Sequence, residues 1–382
     1  MVKVETVVGV ALSFLPIQTA LAAPTDLSNS TSKSPLQNTV NLGKKFLSMP
    51  FTVRPSNRMS VREIYNPPDQ IKRQGGEYVM TIYLGSNYSE NKVVFDTGSS
   101  DLWVKDTSLG GSYDPDLSVT SKSLNKDFLE MYGSGSSYGQ WVKDNVAFGP
   151  DGAEKLWSLQ FASVNKTDWD VDGILGVGLT GLEAISSNET YANFPQLMSK
   201  QGWISKNAYS LYMEDPNNGT GKVLFGAYDS AKYEGDLVTL PFSGKNNNDE
   251  DDVRSMVTLN NVTINGSSYP LDEPVLLDSG TTDTLLPDDI YQEIKALFGN
   301  CEQPDDKYIS FNFDGVKINV PYDDIARVDD GLCTLQVGSS GGSLNILGQN
   351  FLRHAYVLFD LDDKSASLAQ TRYTDESNIH IL

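Results

Sequence analysis

Two short stretches of this 382-residue chain hold the side chains best suited to acid–base chemistry. Val93-Val94-Phe95-Asp96-Thr97-Gly98-Ser99-Ser100 runs straight into Asp101-Leu102-Trp103-Val104. Val275-Leu276-Leu277-Asp278-Ser279-Gly280-Thr281-Thr282 repeats the pattern 182 residues later. In each, an apolar strand ends in Asp, a hydroxyl residue, Gly and further hydroxyls. A carboxylate at the end of a buried strand is costly unless it is hydrogen-bonded. Gly98 and Gly280 let backbone N–H groups turn in towards it. Ser99 and Thr281 can donate to the outer carboxylate oxygens, and Thr97 and Ser279 can tie the two loops together. Two carboxylates brought to about 3 Å share one proton, giving an acid and a base at one site.

The elements that would position this pair also repeat. Ile174-Leu175-Gly176 follows the first motif and Ile346-Leu347-Gly348 the second. The doubled pattern predicts two related lobes, each giving one Asp to a cleft between them. Short Tyr-, Phe-, Val- and Thr-rich runs separated by Gly, Asn, Asp and Ser predict a mostly β chain. Helices should be few, the best candidate being Asp288 to Phe298, just after Pro287.

Competing chemistries have little to work with. The chain has two histidines, His354 and His380, neither in a nucleophile or metal motif, which argues against a Ser–His–Asp triad. No His-Glu-x-x-His run supports a zinc site, and neither a metal nor a cofactor is implied. A carboxylate pair also serves glycosidases, although that would leave the repeated hydroxyl-flanked motif unexplained. The net charge of −21 disfavours nucleic acid as a partner.

The N-terminus reads as processing segments. Lys3, the apolar run Val7 to Leu15 and the small residues Ala20 to Ala23 predict a signal peptide over 1–23. Residues 24–73 carry eight Lys or Arg against three Asp or Glu, on an otherwise acidic chain. They end at the dibasic pair Lys72-Arg73, so they read as a pro-segment cut after Arg73. Such a cationic segment could lie across an anionic cleft and block it. No later run is apolar enough for a membrane span, and the polar end Thr374 to Leu382 lacks a lipid-anchor signal. The expectation is a secreted, extracellular protein without a membrane anchor. Its two cysteines, Cys301 and Cys333, suit a disulfide closing about 33 residues, worth roughly 3–4 kcal/mol. Candidate N-glycosylation sites are Asn87, Asn165, Asn188, Asn218, Asn261 and Asn265. The acidic run Asn246 to Asp252 reads as a solvated loop.

From about Gly76 onward the chain resembles the pepsin family of aspartic proteases, most of all the secreted fungal enzymes of the candidapepsin type. The two Asp motifs, Asp172-Gly173-Ile174-Leu175-Gly176 and the run Ile346 to Arg353 carry the likeness. It implies a bilobal, mostly β pepsin-like fold, with an N-terminal lobe over 74–212 and a C-terminal lobe over 213–382. It implies an aspartic endopeptidase made as a zymogen, working as a monomer on protein and peptide substrates in acid. Its own pro-segment would be an intramolecular inhibitor. By resemblance Asp96 is the acid and Asp278 the base. Met131 to Ser136 matches the tip of the family's flap, a hairpin that closes over substrate. Tyr132, Gly133 and Ser134 would then contact peptide, Tyr132 would bond Trp103, and Val94 would line an apolar subsite.

The pattern also departs from the family. Gly110 to Ser123 lacks the disulfide many relatives carry there, which predicts a less constrained loop. Asp283 stands where relatives often have an apolar residue; it could favour basic substrate side chains or be a solvated turn residue. A different class of function, a pepsin-fold binding protein without activity, predicts loss of an Asp, a neighbouring Gly or the flap tyrosine. All of these are present.

Overall fold

The computed structural model describes residues 39–41, 45–55, 76–132, 135–185, 189–214, 220–245, 253–298, 307–329 and 332–382. The signal peptide, Lys72, Arg73 and Asn246 to Asp252 lie outside them. The expected mostly β, two-lobed architecture is present. One fourteen-stranded sheet runs through both halves of the chain, and a seven-stranded sheet completes the C-terminal lobe. In the shared sheet, Ala208–Met213, Thr220–Phe225, Phe46–Pro55 and Gly76–Leu84 lie side by side, all antiparallel. Tyr212, the expected lobe boundary, lies within this shared group.

A large apolar core fills both lobes. Phe95, just before the first Asp, packs on Tyr209 at 5.8 Å, and Tyr209 stacks on Phe359 at 5.1 Å. Each such buried side chain contributes roughly 1.5–3 kcal/mol, so the strand carrying Asp96 has little freedom to shift. Helix Asp288–Leu297 stands where the sequence places it, with Ile290, Tyr291 and Ile294 facing inward.

Each Asp-bearing strand pairs in parallel with its later apolar-apolar-Gly partner. Val94, Phe95 and Asp96 face Ile174, Leu175 and Gly176; Leu276 and Leu277 face Ile346 and Leu347. A third strand closes each set antiparallel: Leu102–Lys105 in one lobe, Thr284–Leu286 in the other. A Cβ on Gly176 would lie 2.5 Å from the Asp101 backbone nitrogen, and one on Gly348 would lie 2.3 Å from the Asp283 carbonyl oxygen. The glycines are therefore required by backbone contact.

Two expectations change. The strand Phe46–Pro55 belongs to the stretch read as a cationic leader, yet Met49 and Phe51 are fully buried in the core. Apolar packing and strand pairing hold this part, with Arg54 and Asp172 forming a half-exposed ion pair at 3.8 Å, a contact worth little. The Gly110 to Ser123 loop is also better tethered than its missing disulfide suggests. The Tyr113 and Thr120 hydroxyls both donate to Asp144, at 2.9 and 2.5 Å, and Tyr113 packs on Phe161.

Candidate active site

The two Asp loops meet at the lobe boundary in near two-fold symmetry. Gly98 N–H donates to Asp96 Oδ1 at 2.8 Å, and Gly280 N–H donates to Asp278 Oδ1 at 2.8 Å. Ser99 Oγ donates to Asp96 Oδ2 at 2.5 Å, and Thr281 Oγ1 donates to Asp278 Oδ2 at 2.6 Å. The inner oxygens face one another across the glycines. A Cβ on Gly280 would sit 2.5 Å from Asp96 Oδ1 and 3.2 Å from Asp278 Oδ1. Burial, then the Asp278 charge, holds the Asp96 carboxyl well above the usual carboxylate range. The charge of Asp278 thus acts directly on the Asp96 carboxyl.

Below the carboxylates the loops are laced together. Thr97 N–H donates to Ser279 Oγ at 3.1 Å and Ser279 N–H to Thr97 Oγ1 at 2.9 Å. Thr97 Oγ1 donates to the Leu277 carbonyl at 2.7 Å, and Ser279 Oγ to that of Phe95 at 2.8 Å. The run after Gly348 braces the second loop: Gln349 N–H donates to Thr281 O and its Nε2 to Ser279 O.

The strands expected to carry the flap, Lys122–Tyr132 and Gly135–Ala147, pair up to Tyr132 opposite Gly135; Gly133 and Ser134 lie outside the described residues. Trp103 Nε1 donates to the Tyr132 hydroxyl at 2.8 Å. The Tyr132 ring meets Trp169 edge-on at 5.3 Å. Val94 is 5 % exposed, within a small core cluster behind the flap that includes Trp103, Phe128 and Trp141. Asp283 is half-buried.

The match to known proteins has the same extent as this geometry. Residues 77–371 match the family model for eukaryotic aspartyl proteases. The chain belongs to that family. It is similar to candidapepsin of Candida tropicalis, with 34% identity over 98% of each chain. It is also similar to secreted aspartic protease 3 of Candida albicans, at 37% identity over 82% of this chain and 84% of that one. Secreted aspartic protease 8 of the same organism is 38% identical over 81% and 79%. The crystal structure of an aspartic proteinase from Irpex lacteus shares the fold, at TM-score 0.68 and 23% identity, over 78% of this chain and 95% of that one. This aspartyl protease is therefore an aspartic-type endopeptidase, a hydrolase.

The protease carries a set of buried acids beside the cleft that its motifs do not announce. The Tyr132 hydroxyl donates to Glu130 Oε2 at 2.7 Å. Asp101 accepts from the Tyr191 hydroxyl and, at 2.7 Å, from Ala184 N–H. Glu183 accepts from Tyr191 N–H at 2.8 Å. Burial pushes Asp101 up to about 6 and Glu183 up to about 8. Burial, and then the charge of Asp101, also push Glu130 well up.

Of the other candidates, Asn87, Asn165 and Asn265 are exposed. Asn261 is half-buried, its Oδ1 accepting from Ser268 and Asn312. Asn188, Asn218 and Cys301 lie outside the described residues; Cys333 lies in strand Leu332–Leu335. His354 is buried on Asp324 at 2.6 Å, beside an Arg353–Asp324 ion pair, in a structural role the sequence did not suggest. His380 is exposed, stacked on Tyr228.

Proposed function

We propose that this protease is a secreted endopeptidase, made as a zymogen, that hydrolyses peptide bonds of proteins in acid through Asp96 and Asp278. The observation that carries the reading is the mirrored hydrogen bonding of the two carboxyls. Each inner oxygen is fixed by a glycine N–H and each outer oxygen by a hydroxyl. These bonds hold both carboxyls against rotation, and the attacking water would be held between them.

With one proton on the pair, the ionised member takes a proton from that water. The protonated member donates to the scissile carbonyl oxygen. The raised Asp96 carboxyl suits the donor role. Attack gives a tetrahedral diol with no covalent enzyme intermediate, and the carboxyls then exchange roles to release the amine. The flap hairpin with Tyr132 covers substrate and keeps bulk water out. Towards neutral pH the shared proton is lost and activity falls with it.

Secretion rests on the signal-like N-terminus and on the names of the Candida relatives; among the described residues no helix could cross a membrane. Lobes over 74–212 and 213–382, a monomeric state, a Cys301–Cys333 bridge and activation by cutting after Arg73 belong to the same reading. The buried strand Phe46–Pro55 supports a precursor in which part of the pro-segment is a structural member.

The test is digestion of denatured haemoglobin at pH 4, with and without a statine-type peptide inhibitor, by processed protein and by Asp96→Asn and Asp278→Asn. Cleavage blocked by the inhibitor and lowered at least about 10³-fold in each variant is expected. Processed protein that binds the inhibitor but cleaves nothing would instead mark a binding module.

A further inference from the structure

The strand Phe46–Pro55 lies inside the shared sheet, not on its rim. Leu47 to Thr52 pair with Phe225 to Thr220 along one edge, and Thr52 to Pro55 pair with Val79 to Gly76 along the other. Met49 and Phe51 are fully buried. The Phe51 ring lies 6.1 Å from Tyr78 and 5.2 Å from Phe95, the residue just before Asp96. Phe46 is buried at the strand's start with Leu224 and Ala227. Withdrawing this strand would leave backbone N–H and C=O groups of two neighbours unpaired and open a cavity beside Phe95.

A cut after Arg73 therefore cannot free the leader, which would stay fastened to the core through this strand. The chain ahead of the strand is held differently. Thr39–Asn41 pairs with Phe46 to Ser48 and, among the described strands, with nothing else. Lys45, the last residue before the strand, is exposed in a turn and takes the left-handed backbone conformation at φ 52°. Exposed turns are where chains are most readily nicked. In the sequence Lys45 is the second member of a basic pair, Lys44-Lys45, that directly precedes Phe46; Lys44 lies outside the described residues. A dibasic pair thus abuts the first buried residue of the body.

We propose that the Lys45–Phe46 bond is a processing site, read by a protease specific for paired basic residues, and that the processed protein begins at Phe46. Water adds across the amide: Lys45 keeps the new carboxylate and Phe46 the new amine. Residues 24–45 then leave with their three-residue strand, while Phe46–Pro55 keeps its sheet partners on both edges. A further cut after Arg73 only separates Phe46–Pro55 from Gly76–Leu84 along the chain, and the strand stays in place as a short second chain.

This inference deepens the proposed zymogen and rests on that reading, so its test uses a readout that needs no turnover. The full chain and Asp96→Asn are secreted from a eukaryotic host, and their N-terminal sequences and intact masses are read. Both should begin at Phe46, alone or with Gln74 as a second end, and residues 46–55 should co-elute with the body under native conditions. Gln74 as the sole end with residues 46–55 missing overturns the proposal, as does a chain still carrying residues 24–45. A leader retained only in Asp96→Asn gives the cut to the chain's own dyad and overturns the outside protease. The double variant Lys44→Ala, Lys45→Ala should keep the leader; a Phe46 end that persists there overturns recognition of the pair. Should that variant not be secreted, the ends of the other two proteins decide. A protein that begins at Phe46 yet cleaves no substrate sinks the peptidase reading and leaves this inference standing.

Discussion

Thr97 and Ser279 each receive at their own hydroxyl the backbone N–H of the other, at 2.9 and 3.1 Å, across the lobe boundary. Each hydroxyl also donates to a carbonyl in the opposite loop, Leu277 for Thr97 and Phe95 for Ser279. Four buried hydrogen bonds therefore fix the mutual position of two aspartates 182 residues apart in sequence.

Removing either hydroxyl leaves a buried N–H and a buried carbonyl unpaired. Thr97→Val and Ser279→Ala should each cost about 1–3 kcal/mol in denaturant unfolding. Because both remove the same network, the double variant should cost clearly less than their sum. Additive losses would show that the two hydroxyls act separately.

A Cβ on Gly98 would fall 2.7 Å from Asp278 Cγ, and one on Gly280 2.5 Å from Asp96 Oδ1. Gly98→Ala or Gly280→Ala must therefore push the opposing carboxyl aside. A displacement near 1 Å costs on the order of 10²-fold in rate. Peptide hydrolysis should fall by that order while the melting transition survives. Retention of full activity would mean that the loops yield more easily than their hydrogen bonds suggest.

Much of this site was legible in the sequence because its constraints are local. A strand that ends in Asp, a hydroxyl and Gly encodes both inner and outer hydrogen bonds within four residues. Doubling of the motif, followed each time by apolar-apolar-Gly, encodes the parallel partner strand. Glu130 was not legible for the opposite reason. Leu129 and Met131 alternate with Glu130 and Tyr132, and alternation alone would turn the apolar pair inward. The structure turns the polar pair in, because Trp103 and the strand behind it supply partners that lie far away in sequence. The strand Phe46–Pro55 was hidden likewise: its basic neighbours mark a leader, while Met49 and Phe51 find their core only once both lobes form.

Asp324 takes the buried Arg353 guanidinium on one oxygen and His354 on the other. Asp324→Ala strands a buried Arg, which should cost about 3–5 kcal/mol. Equilibrium unfolding of the variant measures it. A loss below about 1 kcal/mol would place the Arg353 charge in contact with solvent or another acid.

The pH dependence of stability follows from two opposed sets of carboxyls. Asp96, Asp101, Glu130 and Glu183 are held above their usual range, chiefly by burial. Their folded forms bind protons more tightly than the unfolded chain does. The stability they lend is full below the ordinary carboxylate range and is lost as pH rises through the raised values, about 6 for Asp101 and about 8 for Glu183. Asp324 runs the other way. Burial alone would raise it, but the His354 hydrogen bond and the Arg353 charge outweigh burial and hold it low. Its contribution is present above the usual carboxylate range and is lost only in stronger acid. The melting temperature should therefore be highest in mild acid, near pH 4–5, and decline steadily from pH 5 to pH 8. Replacing Glu183 by Gln should flatten the upper part of that decline without moving the acid side. Calorimetry across pH 2–8 on both proteins decides it, and a melting temperature that rises from pH 5 to pH 8 contradicts the burial of these four acids.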